Sequence, residues 1–192
     1  MSLLHRMARK KAVAYEALTF AASGSLTVTN NGTTSVTIAK TGGSNNWDSH
    51  AYVATPFTAP ITIEFTKDAG NGDNGASYAM ISLNEDPTSD ASYSSLDYAA
   101  YPYQINTWRV YHNSTFVGDF GGTWSTTATN YIVYRTDGYL LHYNSAGNIY
   151  SVNWGAGRTV YIDTSFYSVN GTYSKFSNIR AIKKVWNDSA YV

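Results

Sequence analysis

From Ser25 onward, apolar and polar side chains alternate in short runs, and this period-two pattern leaves little choice of fold. The runs "SLTVTN" and "TSVTIAK" set Thr or Ser between apolar residues, and the "NNGT" that joins them is a hairpin turn signal. The same alternation recurs in "AYVAT", "ITIEFTK", "SYAMISLN", "SLDYAAYPY", "TWRVYHN", "TFVGDF", "NYIVYRT", "GYLLHYN", "NIYSVNW", "TVYIDTSFY" and "FSNIRAIKK". Between these runs lie Gly, Asn, Asp and Pro clusters such as "EDPTSDAS", "RTDGY" and "WGAGR", the residues that tight turns require. No segment is long enough for the helix of a βαβ unit. Short strands at this spacing imply an all-β chain folded as an antiparallel β-sandwich of jelly-roll type.

The first 22 residues do not share the alternation. Leu3, Leu4, Met7, Val13 and Leu18 suit a short amphipathic helix or arm, and Arg6, Arg9, Lys10 and Lys11 give it a basic face. The expected division is an arm over residues 1–22 and one sandwich domain over residues 23–192, a length that suits a single domain. "HRMARKK" followed by "AVAYEALTFAAS" imitates a signal peptide, but Tyr15 and Glu16 interrupt the apolar stretch, so it reads as an arm. No apolar run approaches the length of a membrane span, and no membrane partner is expected.

The chain has no cysteine, which excludes disulfides, thiolate metal sites and cysteine nucleophiles. Net charge is zero, yet residues 1–40 carry five Lys/Arg against one acid, residues 41–170 four against eleven, and residues 171–192 four against one. If the first and last strands lie together, the basic ends form one patch on an acidic body. The basic arm lacks interleaved aromatic residues, so docking to an acidic protein surface is preferred over nucleic acid, which is not expected as a partner. The 17 tyrosines fit cross-strand pairing on half-exposed sheets, where aromatic pairs contribute roughly 0.2–1 kcal/mol each.

Four segments carry a family resemblance. "IAKTGGSNNWDSHAYVATPF", "YAMISLNEDPTSDASYSSLDYAAY", "WRVYHNSTFVGDFG" and "IVYRTDGYLLHYNSAGNIYSV" resemble, in order, segments of concanavalin A-like sandwich domains of the lectin and glucanase type. The resemblance spans about residues 34–182. It implies a concanavalin A-like jelly roll of the kind found in phage and virus structural or appendage proteins and in microbial surface proteins. The "YHNST" and "NSAGN" tips depart from the family's usual turns.

Glu85, Asp86, Asp90 and Asp97 cluster in one loop and the strand after it. A glycosidase needs two carboxylates facing each other across the scissile bond, and glucanases of this fold usually carry them on alternate residues of one strand. "NEDPTSD" has neither that spacing nor a strand-like composition, so a solvated loop is the plainer reading and no catalytic residue is assigned. "DAGNGDNG" fails the EF-hand spacing and reads as a hairpin connection. His5, His50, His112 and His142 are scattered, and no metal site or cofactor is expected. Trp108 alternates with Val110 and reads as core, whereas Trp124 and Trp154 sit in glycine-rich loops where a ring could stack on a sugar or a neighbouring subunit. With Asp97, Tyr101 and Tyr103 they form the candidate contact set.

The expected function is a non-enzymatic structural protein on a phage or virus particle, as capsid, head decoration or appendage. Its partners would be copies of itself and other virion proteins, engaged through the arm, and its location the virion surface or otherwise extracellular. The alternative is a carbohydrate- or host-receptor-binding module that meets a host-surface glycan.

Overall fold

A computed structural model of the protein describes residues 14–67, 78–88, 90–104, 107–121, 128–144, 147–169 and 174–183. The strands run β1 (Phe20–Ser23), β2 (Leu26–Thr29), β3 (Val36–Lys40), β4 (Ser49–Val53), β5 (Phe57–Thr58), β6 (Ile61–Lys67), β7 (Ala79–Asn84) and β8 (Tyr98–Gln104). They continue as β9 (Thr107–His112), β10 (Thr115–Gly121), β11 (Thr129–Tyr134), β12 (Tyr139–Asn144), β13 (Gly147–Asn153), β14 (Thr159–Phe166) and β15 (Lys175–Ile182). One sheet has the order β1-β4-β14-β7-β8-β9-β10, with β5 also on β14. The other is β13-β12-β11-β6-β15-β3-β2, and neighbours in both sheets pair antiparallel. This is the antiparallel sandwich that the alternation requires.

The inward face follows the sequence parity. Val110 lies opposite Ala100 and Ile132 opposite Ile63, and all four are fully buried with Trp108 and Phe65. Each such Val, Ile or Phe contributes roughly 1.5–3 kcal/mol on burial. A one-residue slip would turn the whole set to solvent. The "YHNST" tip forms a two-residue hairpin in which Asn113 (φ 47°) and Ser114 (φ 61°) both take positive φ, the type I′ geometry that matches strand twist. Among the described residues helix is confined to one 3₁₀ turn at Tyr93–Ser95, whose last residue is the first of the run "SLDYAAYPY" expected to be strand; the strand itself starts at Tyr98.

The boundary drawn at residue 22 shifts toward the N-terminus. The Glu16 N–H donates to the Ala181 carbonyl at 2.8 Å, Leu18 bridges Thr33, and Phe20 opens β1 opposite Val53. Leu18 and Phe20 are buried in the main core. Residues 15–22 are therefore sandwich rather than helix or arm, because two large side chains at period two find room between the sheets. The arm residues Leu3, Leu4, Arg6, Met7, Arg9, Lys10 and Lys11 lie outside the described residues, as do Trp124 and "DAGNGDNG".

Candidate ligand-binding site

On the sheet that contains β7, β8, β9 and β14, the residues facing away from the core are not uniformly exposed. Met80, Ser82, Asn84, Ala99, Asp163 and Ser165 point outward by parity yet are almost completely buried. The segment between β7 and β8 folds back over them. Its base is closed where the Glu85 N–H donates to Asp97 Oδ2 at 2.7 Å. Its middle is tied down where Ser165 Oγ donates to the Ala91 carbonyl at 2.6 Å. Near its end, Leu96 and Tyr93 pack with Met80, Ala99 and Tyr101. Closed ends and self-packed side chains make this an Ω-loop. Asp163 lies in the region it covers, accepting from Asn84 Nδ2 at 2.9 Å and the Thr164 N–H at 2.7 Å. Burial pushes its carboxyl up to about 7.

The loop stops short of the far end of the sheet and leaves a concavity of about 240 Å³ there. Tyr101 and Tyr103 on β8 and Arg109 and Tyr111 on β9 share the outward face, and Tyr78 and Tyr167 lie at the entry to β7 and the exit of β14. Tyr93 of the Ω-loop and Trp47 close the rim, with ring centroids 5.1 Å apart. Tyr78 stacks on Tyr103 at 5.8 Å with rings 8° from parallel, and meets Tyr101 edge-on at 5.8 Å. Such a ring assembly holds large side chains in fixed places. Burial, and next the Tyr103 phenol, push the Tyr78 hydroxyl above its ordinary value, and burial raises Tyr101 as well. These hydroxyls stay protonated at neutral pH, each able to donate and to accept.

Lys40 holds two walls of the concavity together. It ends β3 in the opposite sheet and is fully buried. Its Nζ donates to the carbonyls of Ser44 (2.8 Å), Asn46 (2.7 Å) and Tyr167 (3.0 Å) and to Asp48 Oδ1 (2.5 Å). The same cation thus fixes the loop that presents Trp47 and the chain at Tyr167. The hydrogen bond from Lys40 holds the Asp48 carboxyl below its ordinary value.

Arg109 is the sole charged side chain among the described residues of the lining. Its guanidinium lies 3.6 Å from the Tyr103 ring centroid and donates to both carboxylate oxygens of Asp119, Nε at 2.8 Å and the terminal nitrogen at 3.0 Å. No Asp or Glu lines the concavity among the described residues, and no cluster of three or more His, Asp or Glu placed to hold a metal ion is found among them.

Of the described sequence candidates, the fold brings Tyr101 and Tyr103 together and separates Asp97 and Trp154 from them. Asp97 precedes β8 at its opposite end and serves as the clasp of the Ω-loop. Trp154 is buried: its ring meets Tyr134 edge-on at 5.6 Å and carries the Arg158 guanidinium at 5.0 Å, so it anchors its loop rather than offering a contact surface. Trp47, Tyr78, Tyr93, Arg109, Tyr111 and Tyr167 were not in the candidate set. The parity shared by Tyr101, Tyr103, Arg109 and Tyr111 could have found two of them.

No protein-family model matches the chain, and no curated protein matches it in sequence. Solved structures do match in fold. The carbohydrate recognition domain of Emp46p aligns with a TM-score of 0.61 at 10% identity over 87% of this chain and 89% of that one. The exoplasmic/lumenal domain of VIP36, in a Ca²⁺/Man3GlcNAc-bound form, gives 0.60 at 10% identity over 90% and 89%. The SPRY domain of human HERC1 gives 0.56 at 12% identity over 88% and 96%. The chain therefore has the concanavalin A-like jelly-roll fold that lectin and SPRY domains share.

Proposed function

We propose that the protein is a non-enzymatic carbohydrate-binding module whose ligand sits in the aromatic concavity. One observation carries the reading: a preformed hollow ringed by tyrosine and tryptophan on the outer face of a rigid sheet. Apolar ring faces with a few placed polar groups are the usual composition of small-ligand sites. A sugar ring offers matching surfaces, C–H faces for the aromatic rings and hydroxyls for the phenols and Arg109. The lack of a carboxylate in the described lining favours binding over hydrolysis, which needs two. Emp46p's domain is a carbohydrate recognition domain and the VIP36 domain was solved with a mannose-containing glycan, which supports this assignment on the same fold.

The virion structural role expected from the sequence leans on the basic arm, whose residues 1–13 lie outside the described structure. A place on a particle or cell surface is compatible with glycan binding and is kept as part of the proposal. A glycan array probed with the whole protein tests the reading. We expect a restricted set of glycans to bind, and the signal to fall at least about tenfold in Tyr103→Ala, a loss of about 1.4 kcal/mol. An array blank for the folded protein, or a Tyr103→Ala variant that binds as well as the parent, would overturn it.

A further inference from the structure

Resting on that reading, we infer that the site selects neutral sugars and rejects acidic ones, because its cation is already neutralised by the Asp119 carboxylate beside it on the neighbouring strand. Arg109 contributes the only charge among the described lining residues. Left alone, an arginine on the floor of a sugar site would attract uronate, sialyl or sulfate groups, whose oxygens its planar fork fits. Here the fork is taken. Nε and one terminal nitrogen both bond Asp119, at 2.8 and 3.0 Å, and the guanidinium plane is held against Tyr103 on one side, with Phe116 5.0 Å from it. Asp119 pairs with Arg109 across β9 and β10, so the register of the hairpin fixes the pair.

A ligand carboxylate approaching Arg109 meets a second carboxylate one guanidinium away. The pair presents no net charge to the concavity, and a third, negative member is repelled by Asp119 at longer range, which cancels much of its attraction to Arg109 and leaves too little to offset the cost of desolvating it. A neutral hydroxyl meets no such opposition. It can accept from the guanidinium N–H groups that Asp119 leaves free and exchange hydrogen bonds with the surrounding phenols. The volume, about 240 Å³, lies below the roughly 300–1,000 Å³ of clefts that enclose a whole drug-sized ligand, so the site holds one sugar ring of a longer chain.

Matched glycans test this, each displayed as a neutral chain and as the same chain capped with sialic acid or carrying a uronic acid in the terminal position. The parent should bind the neutral member of each bound pair about tenfold or more tightly. Asp119→Asn, at a side chain 41% exposed, removes the neutralising charge with little risk to folding. That variant should gain affinity for the acidic members and narrow the gap at least severalfold, most at low ionic strength. If the parent binds acidic members as tightly as neutral ones, or if Asp119→Asn leaves the ratio unchanged, the inference fails while the saccharide site stands. If no member of any pair binds, the saccharide reading fails and takes the inference with it.

Discussion

Two buried ionisable side chains carry opposite energetic consequences, Lys40 beside the concavity and Asp163 beneath the Ω-loop. Lys40 is buried at no cost in unmet hydrogen bonds, since four oxygens surround its Nζ. Lys40→Met keeps the volume and removes the cation. Breaking a buried charge network of this kind costs about 3 kcal/mol. The variant should melt earlier, and because the Trp47 loop and Tyr167 lose the cation that ties them, its ligand affinity should fall further than in a comparably destabilised core variant such as Ile132→Ala, which costs about 2–5 kcal/mol. Equal affinity in the two would show that Lys40 does not position the site. Asp163 acts in the opposite direction. In an unfolded chain an aspartate titrates near 3.9, whereas here burial pushes the carboxyl up to about 7. Between those values the folded state holds a proton that the unfolded state has lost. Stability from this group is therefore complete below about pH 4 and is lost as pH rises to about 7. Asp163→Asn should match the parent near pH 4 and exceed it above pH 7 by roughly 4 kcal/mol. Denaturant melts of both proteins from pH 4 to pH 8 would show the gap opening; parallel curves would mean that Asp163 ionises freely under the loop.

Individual elements differ in how far the sequence announced them. The β9–β10 hairpin and the β11–β12 hairpin were legible, because alternation and turn residues are local signals. In the second, Gly138 sits at φ 88°, and a Cβ there would meet the Ala156 nitrogen at 2.5 Å and the Gly155 carbonyl carbon at 2.6 Å. Gly138→Ala should accordingly cost more than about 1 kcal/mol, readable as a lower melting temperature. The Ω-loop was not legible. "EDPTSDASYSS" is polar enough to read as a solvated turn, and nothing local reveals that Ser165 and Asp97 fasten it across the sheet. Residues 15–22 were misassigned for the same reason, since Leu18 and Phe20 gain their partners from distant strands. Deleting residues 1–22 should therefore lower the melting temperature steeply or abolish folding, as removal of two large core side chains costs several kcal/mol. A truncated protein that melts like the parent would return residues 15–22 to the arm.

For the whole molecule, the two ends of the described chain come together, the condition under which the sequence reading would join the basic ends. Glu16 bridges Ala181 and approaches Lys183 at 3.5 Å, although so exposed a pair adds little stability. The sandwich as a whole was legible because period two is a global constraint. The site was half legible: Tyr101 and Tyr103 could be named as contacts, but the concavity needs Trp47 and Tyr167, which are brought to it by long-range ties, the Lys40 network and the Tyr167 N–H bond to the Tyr78 carbonyl among them. The proposed function puts a sugar in this aromatic hollow. Its most direct test is an NMR titration of aromatic-labelled protein with the best glycan from the array, following the ring resonances residue by residue. The account predicts saturable shifts concentrated on Trp47, Tyr78, Tyr101 and Tyr103, with Trp154, Tyr131 and Tyr143 unmoved. Shifts centred on Trp154 or on the opposite sheet, with the four site rings silent, would contradict it.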